Sequence, residues 1–268
     1  MKKIAIASGK GGTGKTTLAV NLAVFNNIDL YDLDVEEPND YLFFKPEKID
    51  TRDVFRKVPV VNEEKCNGCG ICKDVCEFKA IAVIDKAMIF PEICHSCGAC
   101  IYLCPEKALD EEDRLIGRII KAYNGHDNNI TLTYGILEIG EASAVPLIKE
   151  VKKEIRHGIL DCPPGTSCPM VESVRDADFV VLVTEPTPFG LHDLKIAINI
   201  VDDLKLKFAV VLNKHGLPFD GVEEYCREKG VEIIGKIPFS KKIAEDYSNG
   251  MLLEDYKELF KEVYSVIG

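Results

Sequence analysis

Eight of the eleven cysteines in this chain stand in two runs with the same spacing. CNGCGICKDVC covers residues 66–76 and CHSCGACIYLC covers residues 94–104, so both runs follow the pattern C-x2-C-x2-C-x3-C. In this pattern three closely spaced thiolates wrap one [4Fe–4S] cluster, and the fourth thiolate reaches a neighbouring cluster. The repeated spacing therefore predicts two [4Fe–4S] clusters, a cofactor pair suited to one-electron transfer.

The two predicted clusters exchange their fourth cysteine. One cluster is assigned to Cys66, Cys69, Cys72 and Cys104, and the other to Cys94, Cys97, Cys100 and Cys76. We expect each fourth cysteine to start a helical segment. Zinc and disulfides are the alternatives. Zinc ribbons use separated C-x2-C pairs without a fourth cysteine three residues further on, and disulfides are typical of secreted chains.

A second chemical motif lies near the start of the sequence. GKGGTGKT, residues 9–16, matches G-x-x-x-x-G-K-[ST] and lies between a strand pattern at 3–8 and a helical pattern at 16–25. Backbone N–H groups of such a loop surround the phosphates of ATP, the lysine neutralises phosphate charge and the next hydroxyl ligates Mg²⁺. We therefore predict that Lys15 is catalytic and that Thr16 is a magnesium ligand. The predicted ATP-binding residues are Gly11, Gly12, Thr13, Gly14, Lys15, Thr16 and Thr17.

The elements around these motifs follow the alternation of a doubly wound α/β domain. Strand patterns occur at 3–8, 28–34, 158–161, 179–185, 208–213 and 231–237, with helical patterns between them. This alternation predicts a mostly parallel sheet. Two further β-like runs, 115–123 and 129–140, follow the cysteines. We predict a discontinuous P-loop ATPase domain of residues 1–60 and 111–268, with an inserted small α+β domain of the bacterial ferredoxin type at 61–110.

The charge and hydropathy of the chain exclude several classes of partner. The formal net charge is −11, whereas binding to nucleic acid or to anionic lipid requires clustered positive charge. We therefore expect no nucleic-acid partner and no membrane binding. The amphipathic segment 256–268 should pack against the sheet. Because the cysteines occur without a signal-peptide pattern or an apolar run of about 20 residues, we predict a cytoplasmic location.

The phosphate loop and three further segments resemble a known family. KGGTGKT, with Lys10 inside the loop, is similar to the deviant Walker A loop of the MinD/Mrp/ParA ATPases and the nitrogenase iron protein. DLDVEEPN at 32–39 resembles the switch I segment of that family, and ILDCPPGT at 159–166 resembles its switch II segment. VVLNK at 210–214 is similar to the family strand whose asparagine contacts adenine.

This resemblance implies roles for individual residues. Lys10 would reach across a sandwich dimer to the nucleotide of the other subunit, which implies an ATP-dependent homodimer. Asp34 would lie near the attacking water and Mg²⁺, Asp161 would hold a magnesium-bound water, and Asn213 would contact adenine. Asp34 and Asp161 each follow an apolar strand at its carboxyl end, where sheets of this kind bind ligands. Asp32, in contrast, is expected to orient the loop after its strand.

The resemblance extends over essentially the whole chain when both cysteine runs and VTEPTPFGLHDLK at 183–195 are included. The sequence is then similar to MinD-superfamily ATPases that contain an inserted ferredoxin domain. This implies an ATP-hydrolysing iron–sulfur protein. In such a protein a nucleotide-driven rearrangement of the dimer would control electron transfer by two [4Fe–4S] clusters to an unidentified redox partner.

Cys168, seven residues after Asp161, leaves a second function open. Its position resembles that of a cysteine that ligates a cluster bridging two subunits in the nitrogenase iron protein. The second cysteine needed in each subunit is missing from segment 138–148. The alternative function is therefore a carrier or assembly ATPase that delivers a cluster or metal to an apo-metalloprotein, and a positioning or partition ATPase is the third. Cys162 is expected to be a packing residue, and Cys226 a packing or a surface residue.

Overall fold

A computed structural model describes residues 2–44, 46, 48–123 and 130–268. These residues form two compact units. The larger unit contains the described residues of the ranges 1–51, 119–136 and 148–268, and the smaller unit contains Arg52–Arg118 and Leu137–Leu147. The chain therefore leaves the larger unit and returns to it twice.

Both units contain strands and helices, numbered in chain order. The strands are β1 Lys3–Ala7, β2 Leu30–Asp32, β3 Lys48–Val61, β4 Ile81–Val83, β5 Ala87–Ile89, β6 Leu109–Tyr123, β7 Thr131–Leu137, β8 Gly158–Asp161, β9 Phe179–Thr184, β10 Phe208–His215 and β11 Ile233–Pro238. The helices are α1 Lys15–Asn26, α2 Ile71–Val75, α3 Ala99–Tyr102, α4 Val145–Lys152, α5 Cys168–Val174, α6 Pro188–Asp203, α7 Gly221–Lys229, α8 Lys241–Ser248 and α9 Lys257–Ile267. None of the helices that the structure describes has the length and apolarity to cross a membrane.

The main sheet has the strand order β11-β10-β9-β1-β8-β2-β7-β6-β3. β1 is parallel to β8 and β9, β2 is parallel to β7 and β8, and β10 is parallel to β9 and β11. The register sets Ile6 and Asp32 beside Asp161. Because the carboxyl ends of parallel strands meet at one edge, the residues after β1, β2 and β8 converge there. The predicted mostly parallel α/β fold is confirmed.

Helix α1 is embedded in the core of the larger unit, since nine of its twelve residues are buried. α9 packs against α1 and β11, and its side chains Phe260, Val263 and Ile267 are at most 1% exposed. The prediction that the carboxyl-terminal amphipathic segment packs within the fold is therefore confirmed. The helix that follows the phosphate loop is therefore covered by apolar side chains of α9.

The sequence pattern predicts neither β3 nor the first part of β6. β3 spans fourteen residues from Lys48, and β6 begins at Leu109 rather than at residue 115. Most residues of β3 are exposed, apolar ones such as Ile49, Phe55 and Val60 among them, and the start of β6 is a run of exposed acids. Both segments therefore lack the regular alternation of buried apolar and exposed polar side chains that identifies a strand. β7 ends at Leu137 rather than at residue 140, and residue 129 lies outside the described residues.

The smaller unit has a core made partly of cysteines. β4 and β5 form an antiparallel pair. Ile81, Ala87 and Leu109 are buried in one cluster with Cys72 and Cys100. Thiol groups therefore occupy positions that larger apolar side chains fill in an ordinary core.

The fourth cysteine of each run follows a helix and does not start one, so that expectation is wrong. α2 ends at Val75 and is followed by Cys76, whose backbone is extended and whose N–H donates to Lys73 O at 3.3 Å. In the second run the N–H of Cys104 donates to Ile101 O, also at 3.3 Å. The hydrogen bond closes the short helix and turns the chain, which leaves the cysteine just beyond the helix end.

The two cysteine runs fold alike, with a constant offset of 28 residues. Ala80 N–H donates to Cys76 Sγ, and the equivalent Ala108 N–H donates to Cys104 Sγ, both at 3.3 Å. In each copy the lysine before this alanine has a positive φ, 55° in the first and 47° in the second. The internal repeat of the sequence is therefore also a repeat in three dimensions.

Candidate functional site

The phosphate loop connects β1 to α1, and Asn213 on β10 supports it. Gly14 has a φ of +95°, and a Cβ at this position would lie 2.1 Å from Asn213 Nδ2, so the turn requires glycine. Asn213 Nδ2 donates to Thr13 O at 2.7 Å. Lys15 is buried at the start of α1 with 8% exposure. The predicted adenine contact Asn213 thus lies against the loop itself.

The other predicted loop residues follow the same turn. Gly11 and Gly12 are exposed, Thr16 is half-buried and Thr17 is buried. The backbone of the loop is therefore open to a ligand from outside, while its side chains anchor it to the core. This is the arrangement that phosphate binding by backbone N–H groups requires.

Thr16 and Asp161 meet beside the loop. Thr16 Oγ1 donates to Asp161 Oδ2 at 2.7 Å. Asp161 is 3% exposed, and its Oδ1 is buried without a hydrogen-bond partner among the described residues. Burial raises the pKa of Asp161 to about 6, although Lys15 and Thr16 lower it. A free carboxylate oxygen next to a threonine hydroxyl fits Mg²⁺, which prefers oxygen ligands and retains several waters.

Asp32 organises the loop that follows β2. It is 1% exposed. Its carboxylate accepts hydrogen bonds from the backbone N–H groups of Asp34 at 3.0 Å, Asn39 at 2.9 Å and Asp40 at 3.2 Å. The predicted role of Asp32 as the residue that orients this loop is confirmed.

Asp40 is a buried acid that the sequence analysis does not single out. The residue is fully buried, and neither carboxyl oxygen has a partner in the described part of the chain. Burial, and then the charges of Asp32 and Asp161, raise the pKa of Asp40 well above its usual range. The signal in the sequence is an acid at the end of DLDVEEPND, but only the fold shows that it turns inward.

Asp34, the predicted water-positioning residue, lies near the same charges. It is half-buried. Burial, and then the charge of Asp161, raise its pKa to about 6, while Lys15 lowers it. The fold therefore brings Asp34, Asp161 and Lys15 into one electrostatic site, as the sequence analysis expects.

Lys10 forms an ion pair within its own subunit. Its Nζ lies 2.5 Å from Glu185 Oε1, and Lys214 Nζ lies 2.7 Å from Glu185 Oε2. Although burial acts to raise the pKa of Glu185, the hydrogen bonds and charges of the two lysines hold it below its ordinary value. Glu185 was not among the predicted site residues, because nothing in VTEPTPFG distinguishes it from a solvated glutamate.

An open pocket lies next to the phosphate loop. Its volume is about 250 Å³, and its lining includes Gly12, Asn213, Phe239, Ile243 and Tyr247. The aromatic and aliphatic side chains come from the turn after β11 and from α8. Such apolar walls with few polar groups are typical of sites for planar ligands. Gly12 and Asn213 are predicted from the sequence, whereas Phe239, Ile243 and Tyr247 are not.

Each predicted cysteine set lines one pocket of the smaller unit. Cys66, Cys69, Cys72 and Cys104 line a pocket with an empty volume of about 350 Å³, here named the first pocket. Cys94, Cys97, Cys100 and Cys76 line the second pocket, of about 370 Å³. Among the described residues, no group of three or more His, Cys, Asp or Glu side chains is placed to hold a single metal ion. In a cubane cluster, by contrast, each thiolate binds a different iron.

The backbone around the first pocket depends on a glycine. Gly68 has a φ of +70°, and a Cβ there would lie 2.3 Å from Asp85 O. Its equivalent Ser96 adopts a φ of 54°. Burial raises the pKa of the Cys72 thiol and that of the Cys100 thiol, the latter to about 11. Because iron binds thiolate, cluster assembly must displace these protons.

The three remaining cysteines differ in exposure. Cys162 and Cys226 are fully buried, and burial raises the pKa of both thiols. The predicted packing role of Cys162 is confirmed, and of the two roles expected for Cys226 the structure shows packing. Cys168 is exposed at the first residue of α5.

The phosphate loop and the mostly parallel α/β sheet define a P-loop nucleotide-binding protein. The chain belongs to the CobQ/CobB/MinD/ParA nucleotide binding domain family, which it matches over residues 4–253. Membership of this family supports ATPase activity.

Several archaeal proteins are similar along the whole chain. Two uncharacterized proteins of Methanocaldococcus jannaschii are 34% and 33% identical, over 98% and 97% of this chain and 95% and 94% of their own lengths. The iron–sulfur cluster carrier protein of the same organism is 26% identical over 97% of this chain and 82% of its own.

Solved structures share the fold. The cell division ATPase MinD of Pyrococcus furiosus has a TM-score of 0.58 and 18% identity, over 99% of this chain and 100% of its own. The septum site-determining protein MinD of Pyrococcus horikoshii, solved with Mg-ADP, has a TM-score of 0.59 and 18% identity, over 99% and 95% of the two chains. These likenesses concern the fold alone.

The acids of the nucleotide site predict a pH-dependent stability. In the folded state the pKa of Asp34 is about 6, above the ordinary value of 3.8, so the folded protein holds this proton more tightly than the unfolded chain. The stability contributed by this group falls as pH rises from about 4 through 6. We expect Asp34→Asn to increase the free energy of unfolding by about 1–2 kcal/mol at pH 7.5 and to change it little at pH 4.

The measurement is chemical denaturation of the protein without nucleotide and without magnesium at both pH values. Glu36→Gln is the matched control, because Glu36 is exposed two residues away. An equal change for Asp34→Asn at both pH values, or none at pH 7.5, would contradict the prediction.

Proposed function

We propose that this protein hydrolyses ATP and that nucleotide-driven rearrangement of a homodimer controls electron transfer by two [4Fe–4S] clusters to a partner protein. The observation that carries the proposal is the division of eight cysteines between two pockets of the smaller unit, four to each. A complete phosphate loop in the larger unit supplies the ATP-dependent part.

Hydrolysis would proceed by in-line attack of water on the γ-phosphate. The loop N–H groups and Lys15 would bind the phosphates, and Asp34 would position the water. Thr16 and Asp161 would hold Mg²⁺ and its water. When bound, Mg²⁺ neutralises charge that develops on the phosphate oxygens.

The contact between Lys10 and Glu185 supports a second position for Lys10. In the isolated chain the Lys10 ammonium is held by a carboxylate 2.5 Å away. A triphosphate bound to a second subunit carries more negative charge than one carboxylate. Dimer formation around ATP would therefore transfer Lys10 from Glu185 to the nucleotide of the other subunit, where it stabilises the transition state.

The smaller unit has the chemistry that cubane clusters need. Each pocket offers four thiols, and a backbone N–H donates to the sulfur of each fourth cysteine. When bound, the clusters supply one-electron redox chemistry. The protein would deprotonate the thiols, set the local charge and limit access of water.

A carrier function is the second candidate. It is favoured by the exposed Cys168 and by three relatives at 24–26% identity named iron–sulfur cluster carrier protein. In this alternative, Cys168 would bind an additional cluster or metal and deliver it to an apo-metalloprotein. The two candidates differ in the amount of iron that depends on Cys168.

The dimer mechanism predicts the effect of removing Lys10. We expect Lys10→Ala to abolish ATP-dependent dimerisation and to lower kcat for phosphate release by about 10²-fold, because one positive charge is lost at the transferring phosphoryl group. Glu185→Gln should strengthen ATP-dependent dimerisation, since it frees Lys10. Sedimentation with a non-hydrolysable ATP analogue and steady-state phosphate release measure the two effects.

Lys207→Ala provides a control for the loss of one positive charge, because Lys207 is exposed at the opposite end of β10 from Asn213. Normal dimerisation and hydrolysis by Lys10→Ala would refute the transfer of this lysine between subunits.

Iron content separates electron transfer from cluster delivery. After anaerobic reconstitution we expect about eight irons per chain in both the wild type and Cys168→Ala, because two [4Fe–4S] clusters account for all of it. Iron and acid-labile sulfide are determined per chain, with Cys226→Ala as a control for loss of a thiol elsewhere.

An additional amount of iron in the wild type that is absent from Cys168→Ala would favour the carrier. A reconstituted wild-type protein without iron would contradict both candidates.

A further inference from the structure

The two cysteine pockets are equivalent by the 28-residue repeat but differ at one pair of positions. The residue after the first cysteine is Asn67 in the first run and His95 in the second. The residue two positions after the fourth cysteine is Phe78 in the first run and Glu106 in the second. Because the runs exchange their fourth cysteines, Asn67 meets Glu106 at the first pocket, and His95 meets Phe78 at the second.

A carboxylate stands at the rim of the first pocket. Asn67 Nδ2 donates to Glu106 Oε1 at 3.1 Å, and both residues line the pocket. The other end of the Asn67 amide accepts the backbone N–H of Cys69 at 3.0 Å. The hydrogen bond fixes one negative charge next to the predicted ligand set. An electron added to a cluster in this pocket would be repelled by that charge.

An aromatic contact takes the same place at the second pocket. The rings of His95 and Phe78 are stacked, with centroids 3.6 Å apart and an angle of 7° between their planes. Both residues line the pocket. Glu77, the acid next to Cys76 in sequence, is not part of this lining. The second pocket therefore has no carboxylate at the position where the first pocket has Glu106.

Hydrogen-bond donors add to this difference. Ser96 N–H donates to Cys94 Sγ at 3.3 Å, whereas the equivalent bond from Gly68 to Cys66 does not form among the described residues. Donors to cluster sulfurs stabilise the reduced, more negative state and raise the reduction potential.

A buried guanidinium also supports the second run. Arg56, with a side chain 10% exposed, donates to Cys94 O and, at 2.7 Å, to Pro91 O. In the first run the carbonyl equivalent to Pro91 O is Glu63 O, which accepts a hydrogen bond from the side chain of the exposed Lys86. Arg56 lies 2.7 Å from Glu141, a carboxylate that it shares with Arg114, and Arg114 also lies 3.3 Å from Glu92. The two arginines are thus matched by two carboxylates. The contribution of Arg56 is the hydrogen bond to the backbone of Cys94.

The two pockets differ little in their exposure to water, which also affects the reduction potential of a cluster. Each pocket has one exposed cysteine, Cys69 in the first and Cys97 in the second, and the empty volumes are nearly equal. Cys94 is more buried than its equivalent Cys66, which by itself would disfavour added negative charge at the second pocket. Glu106 is exposed, so water and salt screen its charge, but it is a full charge for which the lining of the second pocket has no equivalent.

We infer that the second pocket, formed by Cys94, Cys97, Cys100 and Cys76, is the site of higher reduction potential, and that Glu106 lowers the potential of the first. This inference rests on the proposed function and deepens it. A low-potential one-electron donor would pass its electron to the second site first, and the donor would be oxidised by one electron. Electron delivery to a partner at lower potential would then require the first site.

The test uses the anaerobically reconstituted full chain and an electron paramagnetic resonance titration with dithionite and viologen mediators. Glu106→Gln removes the charge and keeps the shape and the hydrogen-bonding capacity toward Asn67. We expect it to raise the lower of two midpoint potentials and to leave the higher one unchanged. Glu77→Gln, a matched loss of charge outside the pocket lining, should shift either potential less.

A reciprocal variant keeps the assignment falsifiable. Phe78→Glu combined with His95→Asn introduces the polar pair of the first pocket at the second, and both original residues are exposed, so the change should be tolerated. We expect it to lower the higher potential toward the lower one. Cys69→Ser replaces one predicted ligand in the first pocket, and Cys97→Ser replaces one in the second. The resonance that each variant alters belongs to the cluster of that pocket.

The inference is overturned if Glu106→Gln changes neither midpoint potential or changes that of the second pocket. It is also overturned if Glu77→Gln changes the potential of the first pocket by an equal amount. In each case eight irons per chain with unchanged cluster spectra would leave the proposed function standing. A chain that binds no iron would overturn both.

Discussion

The hydrogen bond from Thr16 to Asp161 joins the start of α1 to the end of β8 and ties the phosphate loop to the sheet edge. The parallel register then brings Asp32 beside Asp161, and the loop organised by Asp32 buries Asp40 nearby. Three buried acids therefore surround a site in which Lys15 is the buried cation within the described structure. Burial raises the pKa values of all three acids, and the neighbouring acids raise those of Asp32 and Asp40 further. The excess of negative charge makes the site suited to a divalent cation.

The smaller unit depends on a different constraint, because its core contains the predicted ligands themselves. Cys72 and Cys100 are buried with a few small apolar side chains, and a core of this size supplies little stability by itself. Bound clusters would therefore act as structural centres as well as redox centres. The repeat gives two pockets of one shape, while Glu106 and Phe78 give them different charge.

Sequence reasoning succeeds where spacing alone determines chemistry. The phosphate loop, the parallel sheet and the loop-orienting role of Asp32 follow from local motifs and strand patterns. It fails where a contact joins distant segments: Glu185 meets Lys10 across 175 residues of chain, and Phe239 reaches the phosphate-loop pocket from the turn after β11. Strand β3 is missed because its residues are mostly exposed and show no regular alternation of apolar and polar side chains.

Control of electron transfer by nucleotide is the central claim. The most direct measurement is the stopped-flow rate at which the reduced, cluster-loaded protein passes electrons to a one-electron acceptor dye, with MgATP, with MgADP and without nucleotide. We expect rates that differ several-fold between MgATP and MgADP in the wild type and that are equal in Lys15→Ala, since the variant lacks the phosphate contact that senses the nucleotide. Identical rates in the wild type under all three conditions would contradict the claim.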